Sequence, residues 1–416
     1  MFEFLHPTRR GFLLTAGAFT AWSFAPQFAS AAPGRDPRFL VVVLRGAMDG
    51  LAVIEPAFDP DFERVRAGLI LGADGTAAGL PIAGGFLMNP KLATLHDMFA
   101  QGQALAIHAV ATPYRDRSHF DGQDVLESGL PGAGPVSTGW LNRAMSQLGK
   151  AGSVKAGGLA IGPTVPLIMR GPASTLTWAA GGVKPATDDT RARLLNFYKS
   201  ADPALASAFG RGIDLERIAA AKADMNAGMG QGMSQGAGPY ADQNSNFVKG
   251  MQMVGKLFND PNGPRIGAID LDGWDTHATE QPEGENLGKA LVELDAGLAA
   301  LKASLGPAWD ETVVVVATEF GRTARMNGTE GTDHGTGTVA FLAGGAVKGG
   351  RVLADWPGLS DKALFQQRDL APTTDLRAVL KGALRDHLGI EEAALGKDVF
   401  PDSGGVKAMN GLLKVG

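Results

Sequence analysis

The chain has 416 residues, a formal net charge of −5 and no cysteine. This length suits one large α/β domain, and the mild acidity, with no run of Lys or Arg, argues against a nucleic-acid surface. The lack of cysteine excludes disulfides, thiolate metal ligands and cysteine nucleophiles.

The first 31 residues carry the parts of a twin-arginine export signal. Arg9 and Arg10 precede an apolar run over 12–24, and the small residues 29–31 supply a cleavage site. The run is too short and too weakly apolar to remain as a membrane span. A cytosolic amphipathic N-terminus is the alternative. We expect the twin-arginine translocase to carry a folded, metal-loaded protein to the periplasm, where the mature chain is 32–416.

Strands and helices alternate along the mature chain. Strands are predicted over 38–44, 104–110, within 159–170, and over 174–180, 266–271, 312–317 and 338–343. Helices are predicted over 90–100, from 119 onward, and over 189–198, 203–225, 285–305 and 374–388. This alternation predicts a mostly parallel sheet sandwiched between helices. A Gly-rich stretch at 227–239 is predicted to be a flexible loop within a single domain.

Polar side chains follow four of the predicted strands. The candidates are Asp49; then Ser118, His119 and Asp121; then Asp270, Asp272, Asp275 and His277; and finally Glu319, Arg322, Asp333 and His334. The carboxyl ends of parallel strands meet at one edge of a sheet, so these residues are expected to converge. Carboxylate and imidazole groups gathered there would bind zinc, manganese or a similar divalent ion.

Several candidates also have a purely structural interpretation. Asp49 is a typical turn residue, and Asp275 with His277 would equally suit a capped loop carrying an exposed histidine. Glu319 comes directly after a buried valine strand, so it needs a partner there. That partner is either a metal ion or a cation such as Arg322.

Ser118 precedes a predicted helix, which leaves two roles open. As an N-cap, its hydroxyl would accept a hydrogen bond from the first turn. As a functional group, the same hydroxyl would lie at the positive end of the helix dipole, where anions bind. A nearby metal ion would make it a nucleophile.

Together these motifs resemble the domain of unknown function 1501 family over essentially the whole mature chain. The motifs are the twin-arginine leader, Leu-Arg-Gly-Ala-Met-Asp-Gly at 44–50, Arg-Ser-His-Phe-Asp at 117–121, Gly-Trp-Asp-Thr-His at 273–277, Thr-Glu-Phe-Gly-Arg at 318–322 and Gly-Thr-Asp-His-Gly at 331–335. That family is grouped with the alkaline phosphatase and sulfatase superfamily. The resemblance implies a three-layer α/β/α sandwich with a two-metal site at the strand ends. For this chain we predict one or two divalent ions, with zinc as the first candidate.

Carried over by position, the resemblance assigns roles to the candidates. It makes Ser118 the nucleophile, with His119 and Arg322 as further catalytic residues. The metal ligands that it implies are Asp49, Asp275, His277, Glu319, Asp333 and His334. Phe320 stands where the superfamily has a histidine, and this departure leaves the second metal open.

The resemblance and the candidate residues lead to one functional prediction and one rival. The prediction is an exported metal-dependent hydrolase whose substrate is a small anionic ester or glycan, a phosphate or sulfate ester cleaved by a serine nucleophile. The alternative is a non-catalytic metal- or glycan-binding envelope protein on the same fold. A full ligand set around an accessible Ser118 favours the enzyme, and only two converging ligands favour the rival.

Overall fold

A computed structural model of the chain describes residues 35–72, 77–150, 157–180, 245–280 and 285–414, with isolated positions between 191 and 213. The predicted signal peptide and the Gly-rich loop at 227–239 lie outside the described residues, and so do most positions of the helices predicted over 189–198 and 203–225. Among the helices that are described, none combines the length and apolarity that a membrane crossing needs.

The strands form one large sheet and one small sheet. In chain order they are β1 Arg38–Leu44, β2 Ile54–Glu55, β3 Leu80–Pro81, β4 Leu87–Met88, β5 Ala104–Ala111, β6 Gly158–Ile161, β7 Thr175–Trp178, β8 Ile266–Leu271, β9 Thr312–Thr318, β10 Thr338–Ala343, β11 Arg351–Leu353 and β12 Thr374–Asp375. The nine-stranded sheet has the order β11-β5-β10-β9-β1-β8-β6-β7, and β12 also pairs with β5. The short strands β2, β4 and β3 form a separate antiparallel sheet.

Helices connect the strands of the large sheet. Those in the described residues include α1 Gly50–Val53, α2 Phe62–Val65, α3 Ala93–Ala100, α4 His119–Ser128, α5 Trp140–Lys150, α6 Asn246–Phe258, α7 Glu285–Leu305, α8 Leu376–Leu388 and α9 Glu392–Ala394. Side-chain caps fix some of the starts. Ser245 accepts a hydrogen bond from Val248 N before α6, and Asp375 accepts one from Arg377 N before α8. Helix α8 ends at Gly389, whose φ of 70° is left-handed.

The sheet lies between two helical layers, as β1 shows. All seven residues of β1 are buried. Alternate side chains of a strand point to opposite faces, so residues 40, 42 and 44 join a core with α3, α6 and α7, while residues 39, 41 and 43 join a core with α5 and α8. Burial on both faces explains the continuous valine-rich run. The predicted three-layer α/β/α sandwich is confirmed.

One strand breaks the parallel pattern and determines where the candidate residues lie. Strand β10 is antiparallel to both β9 and β5, and every other pairing in the large sheet is parallel. Strands β1, β5, β8 and β9 therefore end at the same edge at which β10 begins. The segment 319–337 connects the end of β9 to the start of β10 and stays at this edge. Both ends of the segment therefore lie beside the ends of the other strands.

Candidate metal centre

Four side chains from three separate segments converge at this edge. His119 begins α4, Asp275 and His277 follow β8, and His334 lies shortly before β10. The Nε2 atom of His334 lies 2.9 Å from Nε2 of His119 and 2.9 Å from Nε2 of His277. Asp275 Oδ1 lies 3.4, 3.1 and 3.3 Å from the Nε2 atoms of His119, His277 and His334. We call these four residues the His/Asp cluster.

The other ring nitrogen of each histidine faces an oxygen atom. His119 Nδ1 donates to Glu319 Oε1 at 2.8 Å, and His334 Nδ1 donates to the carbonyl of Arg117 at 2.8 Å. His277 Nδ1 lies 3.4 Å from Asp333 Oδ1. An oxygen acceptor holds the proton on Nδ1, so the neutral ring presents the lone pair of Nε2 to the cluster.

The donor set of the cluster fits a divalent cation. Three imidazole nitrogens and one carboxylate oxygen share a small volume, and such electron-pair donors repel one another unless a proton or a cation lies between them. Ligand bonds of about 2.0–2.2 Å in a tetrahedral zinc site place neighbouring ligand atoms roughly 3.3–3.6 Å apart. The separations of 3.3 and 3.4 Å between Asp275 Oδ1 and the Nε2 atoms of His334 and His119 fall within this range, and the separations of 2.9, 2.9 and 3.1 Å are shorter. The ligand atoms of His119, Asp275 and His334 all lie within 4.8 Å of one another.

Glu319 lies behind His119 and is fully buried. Its Oε1 atom accepts hydrogen bonds from His119 Nδ1, from Gly46 N at 2.9 Å and from Gln123 Nε2 at 3.2 Å, while Oε2 accepts one from Thr318 Oγ1 at 2.8 Å. Both oxygens are therefore engaged by the protein. Such a carboxylate orients a ligating histidine and raises its basicity.

The two central histidines have opposite electrostatic surroundings. The hydrogen bond to Glu319 is the main reason why the pKa of His119 is raised. Burial is the main reason why the pKa of His334 is lowered. Burial also tends to raise the pKa of Asp275, but the Arg322 guanidinium outweighs it and holds that pKa below its usual value. The lowered pKa of His334 favours its neutral ring, with its Nε2 lone pair available.

Arg322 links the cluster to the loop before β10 through hydrogen bonds. Its side chain is fully buried, and Nη1 donates to Asp275 Oδ1 at 2.7 Å. Nε donates to Thr332 Oγ1 at 3.1 Å, and Nη2 donates to the Thr332 carbonyl. All of these donors point to protein atoms. Arg322 thus positions Asp275 and the loop before β10.

The carbonyl that orients His334 belongs to a strained residue. Arg117 has a φ of 60°, a left-handed conformation that costs energy for a residue with a side chain. Its guanidinium forms an ion pair with the buried carboxylate of Asp369, with Nη2 2.7 Å from Oδ2. This anchor holds the backbone turn that directs the carbonyl to His334 Nδ1.

Ser118 occupies the N-cap position of α4, but its side chain makes no capping hydrogen bond. Its backbone N–H donates to the Tyr114 hydroxyl at 3.1 Å. The capping role that the sequence left open required a hydrogen bond that is not formed. The hydroxyl lies one residue from His119 at the N-terminus of a ten-residue helix.

Asp49 lies at the same edge but is engaged elsewhere. Its side chain is buried and caps α1 by accepting from Leu51 N at 3.0 Å. Its other oxygen forms an ion pair with the fully buried Arg66, with 2.5 Å between Oδ2 and Nη2. Phe320 stacks on the His119 ring, with the centroids 5.1 Å apart. A second ion beside Asp49 would therefore have to displace a guanidinium.

Some supporting residues were missed from the sequence. Gln123 follows His119 by four positions, so helical periodicity could have placed it on the same face. Asn327, which donates to Asp333 Oδ1 at 3.1 Å and to the His277 carbonyl at 2.9 Å, gave no signal beyond its polar loop. Arg66 gave no signal in the sequence, because its contact with the end of β1 depends on the path of a loop.

The fold and the cluster define an α/β/α protein with a candidate His/Asp metal centre at the carboxyl edge of its sheet. More specifically, the chain belongs to the family described as "Protein of unknown function (DUF1501)", whose sequence model matches residues 102–398. That match spans all four residues of the His/Asp cluster. No curated protein matches the chain.

Several solved structures are similar at low identity. The C-terminal periplasmic domain of EcEptC from Escherichia coli, in complex with Zn, is 13% identical over 75% of this chain and 74% of that chain, with a TM-score of 0.34. The lipoteichoic acid synthase LtaP from Listeria monocytogenes is 11% identical over 90% of this chain and 78% of that chain, with a TM-score of 0.36. Ps i-CgsB, in complex with a neocarrahexaose, is 12% identical over 90% and 77%, with a TM-score of 0.41.

Proposed function

We propose that this protein is an exported, metal-dependent hydrolase of phosphate or sulfate esters. The observation that carries the proposal is the arrangement of three imidazoles. Each has its Nδ1 facing an oxygen atom and its Nε2 close to Asp275 Oδ1. Histidines oriented in this way by carboxylate or carbonyl partners are typical of metal sites.

The residues of the cluster would be the ligands of the ion, and two residues behind them would hold these ligands in place. His119, Asp275 and His334 would hold one divalent ion, for which zinc fits best, and His277 would be the fourth ligand. When bound, the ion would supply positive charge to the oxygens of an anionic ester. Glu319 and Arg322 would hold His119 and Asp275 in place.

Ser118 is the group that we assign to attack the phosphorus or sulfur atom. Its side chain is not engaged in capping, and it sits at the N-terminus of α4, where unpaired N–H groups and the helix dipole favour an anion. The attack would form a bond from Ser118 Oγ to the central atom and break the bond to the ester oxygen, which would leave as the alcohol with the proton of the Ser118 hydroxyl. Water would then cleave the seryl ester, which restores the hydroxyl and releases the phosphate or sulfate.

A non-catalytic metal-binding protein is the second candidate. The Asp49–Arg66 ion pair favours it, because this pair takes a carboxylate away from any second ion. Export through the twin-arginine route is part of both proposals and depends on Arg9 and Arg10.

Metal content and turnover test the proposal together. The protein purified from the cell envelope should contain one equivalent of a divalent metal by elemental analysis. His334→Ala should lose it, whereas His96→Ala, which removes a histidine bonded to the Pro81 carbonyl, should keep it. The metal-loaded wild type should hydrolyse an aryl phosphate or an aryl sulfate. Stoichiometric metal without turnover on either ester would leave the second candidate, and no metal would reject both.

A further inference from the structure

A cleft of about 470 Å³ lies beside the metal centre, against the neighbouring face of α4. Its walls come from the first two turns of α4, the segment 161–170 after β6, and the ends of β1 and β8. This volume is within the range of about 300–1,000 Å³ that is typical of small-molecule sites. None of the roles assigned above uses this space.

The cleft and the metal centre share a wall. Gln123 lines the cleft and donates to Glu319 Oε1, the same atom that orients His119. Phe120 lines the cleft from the position next to His119. A molecule in the cleft would therefore extend to the residues that hold the proposed ion.

Phe120 is the most exposed large apolar side chain of the described residues, with 85% of its surface accessible. Aromatic rings bury large apolar surfaces when they can, so a ring left in water at a cleft points to a ligand with an apolar face. Gln123, Asp124 and Glu127 follow it at helical spacing and line the same cleft.

Two cations and three carboxylates line the cleft, so its formal charge is −1, which disfavours an anionic ligand. Arg45 pairs with Glu127 at 2.8 Å and with Asp270 at 2.9 Å, so these three groups are engaged with each other. Asp124 has no hydrogen-bond partner within the described part of the chain, and Arg170 uses only its Nε atom, to the Val165 carbonyl. One free anion and one free cation favour a neutral ligand that both donates and accepts hydrogen bonds.

Two side chains of the lining remain for polar contacts with a ligand. Asp270 is not one of them, because its Oδ1 atom is closed to solvent and its Oδ2 atom accepts from Arg45. The carboxylate of Asp124 accepts hydrogen bonds and the Nη groups of Arg170 donate them, and a hydroxyl group can bond with either. The ligand thus needs hydroxyl groups around a ring with an apolar face.

We infer that this cleft binds a neutral sugar unit, so that the ester cleaved at the metal centre is carried on a glycan. The ring of Phe120 would stack on the apolar face of the sugar, while Asp124 and Arg170 would bond its hydroxyls. The inference rests on the proposed function for the position of the ester, but the binding of the sugar itself does not require hydrolysis.

Calorimetric titration with neutral oligosaccharides of three to six units, from β-glucan, galactan, mannan and chitin, tests the inference on the full mature protein. At least one should bind with millimolar affinity or better. Phe120→Ala should weaken binding about tenfold or more, through lost apolar contact. Asp124→Asn should weaken it as well. Phe58→Ala, at a phenylalanine 47% exposed outside the cleft, and Asp97→Asn on α3 are matched controls that should bind as the wild type does.

The outcomes separate this inference from the proposed function. His334→Ala, with its metal lost, should keep oligosaccharide binding, and that result would support the cleft even if no ester is hydrolysed. Sugar binding that disappears with the metal would place the sugar on the ion and overturn the inference. So would the absence of binding by every oligosaccharide, or an unchanged affinity in Phe120→Ala. A wild-type dimer by light scattering that Phe120→Ala dissociates would also overturn it, because Phe120 would then be a contact between copies.

Discussion

Replacing Glu319 with glutamine would test whether Glu319 orients the metal ligand His119 or is a metal ligand itself. Glutamine keeps the shape of the side chain and an oxygen acceptor for His119 Nδ1, but it removes the negative charge. Gly46 N and Gln123 Nε2 also donate to the same carboxylate oxygen, so the position of the side chain is fixed by three donors. The fold should therefore tolerate the change.

The magnitude follows from the His119–Glu319 hydrogen bond at 2.8 Å. A hydrogen bond to a charged acceptor contributes about 1.5–3 kcal/mol, and one between neutral groups about 1 kcal/mol. Losing the charge should weaken metal binding by about 0.5–2 kcal/mol, which is roughly a 2- to 30-fold rise in Kd. Partners behind metal ligands commonly change affinity by about 10- to 100-fold, which overlaps this range.

Competition with a chromophoric zinc chelator at neutral pH measures the Kd of wild type and variant. Asp295→Asn is the matched control. It removes another buried carboxylate, one that accepts from Thr94 N and Leu95 N at the start of α3, and it should leave the zinc Kd unchanged. If Glu319→Gln lost metal as completely as His334→Ala, Glu319 would be a ligand itself, and an unchanged Kd would show that His119 does not ligate.

Three further predictions concern catalysis, export and stability. Ser118→Ala should abolish ester hydrolysis without changing the metal content. Because no capping hydrogen bond is lost, its free energy of unfolding should change by much less than the ~1 kcal/mol of a cap. Retained turnover would show that Ser118 is not the nucleophile. Lysine at both Arg9 and Arg10 should leave the protein in the cytoplasm on cell fractionation; arrival in the periplasm would contradict twin-arginine export. His108 is buried, donates from Nε2 to the Ile54 carbonyl and accepts from Ala109 N, and burial lowers its pKa to about 4. The stabilisation from neutral His108 is present above the unfolded pKa of about 6.5 and is lost as the pH falls towards 4. In urea titrations between pH 7 and 5, the wild type should therefore lose about 2 kcal/mol of unfolding free energy that His108→Gln does not lose. Equal losses in the two proteins would disprove this.

The fold was largely predictable because its signals are local. The valine-rich runs at 38–44 and 312–317 must be buried on both faces, and strands of this kind occur in parallel sheets between helices. The bounds of β1, β8, β10 and α7 agree with the prediction residue by residue. The reversed direction of β10 was not predictable, because periodicity shows that a strand exists and not which way it runs beside its neighbours.

For the site, the sequence predicted which strand ends come together. The contacts within it were not predictable, because they join residues that are far apart in the sequence. Glu319 needed a partner, and the sequence offered a metal ion or Arg322, whereas the structure pairs it with His119, about 200 residues away. Asp49 was predicted to be a metal ligand or a turn residue, and its partner is Arg66, which lies on a loop with no pattern of its own.

The balance of charge at the sheet edge favours a single ion. Around the cluster, the carboxylates of Asp275, Glu319 and Asp333 face one guanidinium, that of Arg322, which leaves a charge of about −2 when the histidines are neutral. One divalent ion neutralises this charge. Asp49 is already neutralised by Arg66, so a second divalent ion would leave an excess of positive charge in a largely buried region, which is costly. In the proposed metal site, the Asp49–Arg66 pair and the departure at Phe320 would therefore both favour a single ion, and Ser118 would have to act with that ion and the N-terminus of α4.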